Sequence, residues 1–558
     1  MTKQRVIETE TIAYLANVQI SSIQDIFKIE EELLEIINSK FDEHNVICAK
    51  DEKWKKPDSL CFSQIALILT KVFTFKLVHC SNDDTREYDL LGLYVDDMVI
   101  HFVPGIAHLK GIYITKDDVF RELARLFNFS ITTKEMSELL VLLKDKVQQV
   151  ERCIDPDLIP VGNGIFNYST KKLIPFSPDL VFMCKSRINY NDKATNVHIY
   201  NPDDGTDWDA ESWMQSLAPG DPDVCNSLWE ITGAVLRPNV PWNKSAWLYS
   251  ETGNNGKGTL CEMYRAILGE GAYASISLEN FSKDFVLEPL INSSAIIVDE
   301  NDVGTYIDKA GNLKSVITND VIQINRKFKT PIAYQFRGFM VQCLNEYPRI
   351  KDKSDSFFRR QLFVPMKACF TGRERKYIKK DYLHRTEVLE YILYRVLNMN
   401  YYTLSEPESC KIAMQEFKEV NDPIRIFWSD VKDEVLNWNL LPFTFLYDLY
   451  KSWFSRNKPT GTLIGKTTFT NDLLSIIKLD PDWDCQDKTR QIAVTKSNMS
   501  GPESLIAEYG LTDWMSKTYK GSDWRKQCVP VLKQKYAGLE RVNPVAPDDE
   551  DGEEDDAE

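Results

Sequence analysis

The stretch AWLYSETGNNGKGTLCEMYRAIL, residues 246–268, decides how the rest of the chain is read. Ala246 to Ser250 is a short strand-like run, and Thr259 to Leu268 spaces its apolar residues as an amphipathic helix does. The loop between them is rich in Gly and Asn. A phosphate group needs this arrangement. Gly253 and Gly256 let the backbone turn tightly and present N–H groups to oxygens. The N-terminus of the following helix adds a favourable dipole. Asn254, Asn255 and Gly258 complete the cradle, and Lys257 brings a point charge to the β- and γ-phosphates of a nucleotide. Glu251 stands where the usual pattern has its first Gly, and Gly258 stands where it has Ser or Thr. The hydroxyl that would bind magnesium then falls to Thr259, one place later. The plainer alternative is a Gly-rich turn capping a helix.

The residues downstream turn one motif into a set. Ala295 to Val298 in SAIIVDE read as a buried parallel strand ending in Asp299 and Glu300. A carboxylate pair at such a tip, beside a phosphate loop, suits a Mg2+ ion held by Asp299 and a water polarised by Glu300. A second apolar strand, Phe339 to Leu344, ends in Asn345, whose amide can orient that water. DSFFRR, 355–360, places Arg359 and Arg360 after two aromatics, where a guanidinium could reach a neighbouring subunit's nucleotide. Residues 321–325 alternate apolar and polar as a hairpin strand does, and Arg326, Lys327 and Lys329 then cluster around Phe328. Cations with an interleaved ring suit single-stranded DNA, the charge following phosphates and the ring stacking on a base. Taken singly, each has a plainer reading: a strand reaching the surface, a turn residue before Pro348, a surface ion pair, a solvated hairpin tip.

In order and spacing these motifs resemble the superfamily 3 helicases of the AAA+ class, and more narrowly the poxvirus-type helicases and phage or plasmid primase-helicases. The matching residues are GNNGKGT (253–259), IIVDEN (296–301), LKSVITNDVIQINRKFKTP (313–331), CLNEYPRI (343–350) and DSFFRRQLFVP (355–365). Likeness continues upstream in NGIFNYSTKKLIPFSP (163–178) and downstream in LPFTFLYDLYKSWFSRNKPTG (441–461). The resemblance implies an ATP- and Mg2+-dependent helicase moving 3′ to 5′, with a ring usually of six subunits and ATP between neighbours. It implies that the hairpin bearing Lys327 and Lys329 lines the channel. Arg360 would be the finger acting across the interface, with Arg359 as the fallback. The family's usual Gly-Asp before the hairpin strand reads Asn319-Asp320 here.

Bulk properties set limits around this reading. A chain of 558 residues is too long for one core, and 43% hydrophobic with 27% charged residues is ordinary for a globular protein. No basic start followed by an apolar run opens the chain, and no stretch has the length of a membrane span. The expected location is therefore the cytoplasm, that of a bacterial host if the element is a phage. The twelve cysteines form no CxxC pair, so a structural zinc is not expected. Net charge is −16, but residues 548–558 carry nine carboxylates and no cation, leaving −7 elsewhere. DNA contact must come from local basic patches rather than from global charge.

The expected architecture is α/β: an AAA+ P-loop ATPase core with a parallel sheet, an α+β domain before it, and a helical, winged-helix-like domain after it. The divisions read as 1–110, an N-terminal domain of unassigned role; 111–203, a lead-in; 204–243, a helical collar; 244–405, the ATPase; 406–540, the C-terminal domain; and 541–558, an acidic tail. In the lead-in, 117–149 reads as two helices with cap chemistry at Ser130 to Thr133, and 158–190 as small strands and turns. In the C-terminal domain Phe445, Leu449 and Trp453 mark one helix face. Phe469, Leu473 and Ile477 mark another, with Lys458, Lys466 and Lys478 nearby. A helical lid on the ring is the other reading of this domain. Asp96-Asp97, with His101 close by, is the one tempting metal-binding pair for priming chemistry, and reads as a surface turn. An ATP-dependent origin-binding initiator that does not unwind, a helicase serving as part of a primase-helicase, and a protein-remodelling ATPase share most of these features. Expected partners are single-stranded and forked DNA, further copies of the chain, and a primase or initiator, with no membrane.

Overall fold

The computed structural model describes residues 2–20, 22–79, 89–327, 329–435, 438–457, 463–499 and 501–544. The chain divides into two compact units, Met1–Met414 and Gln415–Glu558. Among the described residues no helix is long and apolar enough to cross a membrane.

The first third of the larger unit packs helices on a small mixed sheet. Strands Phe75–Val78, Leu90–Tyr94 and Tyr113–Ile114 pair antiparallel, and Gln149–Val150 joins Phe75–Val78 in parallel. Ile65, Ile68 and Leu69 of helix Phe62–Val72 meet Leu139 and Leu143 of helix Thr133–Lys146 in the core beneath. The second of these helices starts on a capping box: Glu135 N–H donates to Thr132 Oγ1 at 3.3 Å, and Thr132 N–H donates to Glu135 Oε2 at 2.8 Å. Asp96 accepts from Val99 N–H and so caps the short helix Asp97–Phe102, while Asp97 pairs with Lys110 on the surface. The segment 158–174 is a three-stranded antiparallel meander, Leu158–Val161, Gly164–Asn167 and Lys172–Ile174.

Two collar helices follow, α1 (Ala210–Leu217) and α2 (Pro222–Leu236). Asp209 and Asp221 cap them, each accepting a backbone N–H at 3.0 Å, with Pro222 in the first turn of α2 where no amide partner is needed. Then comes the sheet that positions the site. Strands β1 (Ser245–Tyr249), β2 (Tyr273–Ala274), β3 (Ala295–Val298), β6 (Phe339–Leu344) and β7 (Gln361–Pro365) pair only in parallel, in the order β2–β3–β6–β1–β7. Every residue of β1, β3 and β6 is buried, as expected for strands covered on both faces. Each buried Ile, Leu or Val contributes about 1.5–3 kcal/mol. Helix α3 (Lys257–Leu268) crosses from β1 and buries Leu260, Met263, Tyr264 and Ile267. Helix α4 (Gly311–Ile317) leads into the antiparallel hairpin of β4 (Val321–Arg326) and β5 (Lys329–Gln335), whose pairing shifts between Ile324 and Arg326. Ile322, Ile324, Ile332 and Tyr334 bury one face of that hairpin. After β7 come a short helix α5 (Lys376–Lys380) and a longer one, α6 (Thr386–Leu397).

The smaller unit has helices α7 (Pro423–Val431), α8 (Phe443–Asn457) and α9 (Lys466–Ile477) around Phe427, Trp438, Phe445, Trp453 and Phe469. Phe445, Leu449 and Trp453 are buried together on α8, and Phe469, Leu473 and Ile477 on α9. A three-stranded antiparallel sheet, β8 (Leu440–Pro442), β10 (Gly538–Arg541) and β9 (Trp483–Asp484), accompanies them. Its strands are two to four residues long and far apart in sequence, too short for period-two alternation to declare them. Lys458, Gly461 and residues 545–558 of the acidic tail lie outside the described residues.

Candidate nucleotide site

In a parallel sheet, ligands bind outside the carboxyl ends of the strands, where the strand order reverses. Here the chain leaves β1 for the far edge at β2, returns through β3 and β6, and then passes to the other side of β1. The loop 250–256 occupies that position. Gly256 caps α3 with a left-handed backbone, φ 88°, and a Cβ there would collide with the Leu217 side chain. Both constraints demand glycine. Gly253 is bounded by open space and has no such backbone requirement. Asn254 also has a left-handed φ, 53°, which Asn tolerates better than most residues.

The side chains of the loop divide into braces and candidates for contact. Asn255 is buried; its Nδ2 donates to Thr252 O, and its Oδ1 accepts from Lys257 N–H at 3.3 Å. Glu251, the departure from the usual first glycine, accepts from the Tyr249 hydroxyl at 2.9 Å. Asn254 Nδ2 donates to Glu374 Oε1 at 2.9 Å, and Asn254 O accepts from Phe370 N–H at 2.8 Å. Thr259 faces a cavity of about 530 Å³ that Asn254 and Gly256 also line. Trp208, Trp213 and Leu217 of the collar region and Phe370 and Ile378 from beyond β7 form its apolar walls. The size is in the range of small-ligand pockets.

Lys257 is buried, and its ammonium donates to Ser250 O at 3.1 Å, Leu344 O at 2.9 Å and Asn345 Oδ1 at 2.8 Å. It therefore sits across the ends of β1 and β6 and meets the Asn345 amide that follows β6. Burial pushes its pKa below the ordinary lysine value. The acidic tip lies one strand further on. Asp299 accepts from both terminal nitrogens of the Arg265 guanidinium, at 3.1 and 3.3 Å. Arg265, by hydrogen bond first and by charge as well, holds the Asp299 carboxyl below the usual range. Glu300 beside it is exposed. Asn301 is buried and pins the tip: its Nδ2 donates to Gln342 Oε1 and Cys343 O at 3.0 Å each, and its Oδ1 accepts from Leu278 N–H at 3.0 Å.

Among the described residues no cluster of three or more His, Cys, Asp and Glu side chains could hold a metal by itself. Mg2+ does not need one, because it keeps waters and takes one or two carboxylates plus phosphate oxygens. Asp299 supplies a carboxylate of that kind, so the residues fit an ion that arrives with its nucleotide.

The arginine pair lies at the other end of the sheet. Arg360 immediately precedes β7, whose first residue pairs with Ser245 at the start of β1. Five residues of strand rise, roughly 15 Å, separate that end from the phosphate loop. The Arg360 guanidinium folds back on Ser356 O and Ser356 Oγ, whereas Arg359 is exposed. On the hairpin, Lys327 and Lys329 are exposed; Lys329 pairs with Asp117 at 3.1 Å, and the Arg326 guanidinium donates to Thr330 O at 2.8 and 3.0 Å. Phe328 lies outside the described residues. Lys144 lies close enough for Arg326 and Lys329 to depress its pKa further after burial.

Sequence reasoning missed Arg265, Asn301, Lys144 and the 370–380 segment. Arg265 and Lys144 carried no signal beyond being charged residues on helices. Asn301 was inside the quoted IIVDEN but had no role assigned. RERKYIKK, 373–380, was a visible run of cations after the last core strand.

Three segments of the chain match known families. Residues 94–218 match one described as D5 N terminal like, 248–360 a family of unknown function (DUF5906), and 419–503 one described as Poxvirus D5 protein-like. No curated protein matches the sequence. Among solved structures, the apo C-terminal region of NrS-1 is 14% identical, aligned over 85% of this chain and 94% of that one, with a TM-score of 0.39. A JCV helicase bound to a small molecule is 16% identical over 38% of this chain and 58% of that one, with a TM-score of 0.23. Scores this low do not establish a common fold.

Proposed function

We propose that this chain, superfamily 3 primase-helicase-like in its D5-type segments, is an ATP-driven DNA helicase of the AAA+ class acting in the replication of a phage or other mobile element. The observation that carries the reading is the position of Lys257. Its ammonium bridges the ends of β1 and β6 and touches Asn345, one strand away from Asp299 and Glu300. Three features picked from separate places in the sequence, the phosphate loop, the acidic tip and Asn345, thus share one end of one sheet.

The chemistry follows from what each group can do. Lys257 satisfies its three donors with the protein's own oxygens, so its charge is not buried unpaired. With ATP present, the β- and γ-phosphates compete for those donors with full negative charge, and charge-assisted bonds win. The N–H groups at the start of α3, beyond Gly256, complete the cradle. Asp299, released from Arg265, is the group to hold Mg2+, which would supply neutralisation of the phosphate oxygens when bound; Thr259 is the hydroxyl that would join it from the start of α3. Glu300, exposed at the strand tip, takes the proton of the attacking water, and Asn345 orients that water. Arg360, or Arg359, is too far to serve its own chain's nucleotide and acts on a neighbour's, which calls for a ring, six subunits in the resemblance. The hairpin carrying Arg326, Lys327, Phe328 and Lys329 is the element to grip single-stranded DNA, with 3′-to-5′ movement. The Lys329–Asp117 pair is half exposed, weak, and readily exchanged for a phosphate.

A forked-duplex unwinding assay, run beside ATP hydrolysis with and without single-stranded DNA, tests this. Wild type should unwind and be stimulated, and Lys257→Ala should do neither. Hydrolysis without unwinding would favour an origin-binding initiator or a helicase that needs its primase. Hydrolysis indifferent to DNA would favour protein remodelling. A wild-type chain that binds no ATP would end the proposal.

A further inference from the structure

The segment Phe370–Lys380 belongs to no motif, yet it forms one wall of the cavity that Asn254, Gly256 and Thr259 line. It is strapped to the tip of the phosphate loop, through Phe370 N–H to Asn254 O at 2.8 Å and Asn254 Nδ2 to Glu374 Oε1 at 2.9 Å. The strap fixes where α5 can lie. From α5, Lys379 extends to the first turn of α3. A Cβ placed on Gly258 would sit 3.6 Å from Lys379 Nζ, with nothing else within 4 Å. Lys379 is half-buried and, among the described residues, has neither a hydrogen bond nor an ion pair. Its charge nevertheless contributes to holding the Asp299 carboxyl ionised. An ammonium at the amino end of a helix, with no carboxylate among the described residues in hydrogen-bond or ion-pair range, has its donors free for an anion.

Gly258 stands where phosphate loops ordinarily carry Ser or Thr. A Cβ at 258 would meet the ammonium only at ordinary contact distance, and it is the atom beyond the Cβ, a Ser or Thr hydroxyl, that would share the space into which the ammonium reaches. We propose that Lys379 is a second phosphate ligand of the nucleotide, approaching from outside the loop while Lys257 approaches from within, and that Gly258 keeps that approach clear. The inference rests on reading residues 253–259 as the nucleotide site. Two lysines on one polyphosphate differ from one lysine and a hydroxyl-held ion in a measurable way. More of the binding should survive removal of the divalent cation, because a fixed protein charge then faces oxygens that the ion would otherwise neutralise.

Titration calorimetry of the full chain with ATP, with Mg2+ and again with a chelator, decides it. Lys379→Ala and the length-preserving Lys379→Gln should each weaken ATP binding by about tenfold, the loss of one charge-assisted hydrogen bond. The loss should be larger in chelator. Lys351→Ala, an equal loss of charge at the surface pair with Asp308, should leave affinity unchanged. Gly258→Ser should weaken binding in the wild-type background and much less on Lys379→Ala, the coupling expected of groups in contact. Affinity in Lys379→Ala and Lys379→Gln equal to that of Lys351→Ala would overturn the proposal, as would Gly258→Ser penalties equal in both backgrounds. If Lys257→Ala abolishes binding while both Lys379 variants bind normally, only the second ligand falls. If wild type binds no ATP, the nucleotide site falls with it.

Discussion

Lys257 donates to three oxygens of its own chain, and burial lowers its affinity for its proton. The sign of the pH effect follows. Between the lowered folded pKa and the ordinary lysine value of about 10.4, the unfolded chain binds more protons than the folded one, so this residue makes stability rise with pH through that window. A bound triphosphate favours the ammonium and pulls the pKa back up. ATP binding within that window should therefore take up protons. The binding enthalpy should differ between two buffers of unlike ionisation enthalpy, and Lys257→Arg should remove the difference. A buffer-independent enthalpy in wild type would contradict the assignment. Glu300 differs in being exposed, and the proposed role gives it the attacking water rather than the phosphates to act on. Glu300→Gln should bind ATP as wild type does and lose turnover by about a hundredfold or more, the usual worth of a general base. Normal turnover would remove Glu300 from the mechanism.

At the scale of elements, the acidic tip is held by an amide rather than by its own acids. Asn301 ties the end of β3 to β6 and to the Leu278 amide. Asn301→Ala leaves a buried N–H and a buried amide without partners, which costs about 2 kcal/mol. Denaturant unfolding should register that loss. ATP hydrolysis should fall further than stability does, because Asp299 and Glu300 lose their register against Lys257. Unchanged stability would show that water replaces the bonds. The same bonds explain what could be read in advance. Strand β3, strand β6 and the hairpin were legible because their signal is local: an apolar run, a breaker, a period of two. Helix α3 was legible from its spacing and its glycine cap. The Arg265–Asp299 pair and the Asn254–Glu374 strap join residues 34 and 120 positions apart, and nothing in a local pattern selects those partners. For the same reason Asn254 and Asn255 read alike in sequence, though one binds a distant segment and the other braces its own turn.

For the whole molecule, the parallel sheet has two working ends. The phosphate loop, Asn345, Asp299 and Glu300 lie at one, and Arg359 and Arg360 at the other. Mixing Lys257→Ala chains with Arg360→Ala chains should restore part of the hydrolysis that each lacks alone, since a mixed assembly contains interfaces with an intact loop on one side and an intact arginine on the other. Failure to recover with Arg360→Ala and with Arg359→Ala alike would argue against catalysis across an interface. The roughly 15 Å of strand between the two ends has a further consequence. On the proposed reading a solitary copy would hold its nucleotide yet spend it slowly, so that the rate per chain would climb with protein concentration.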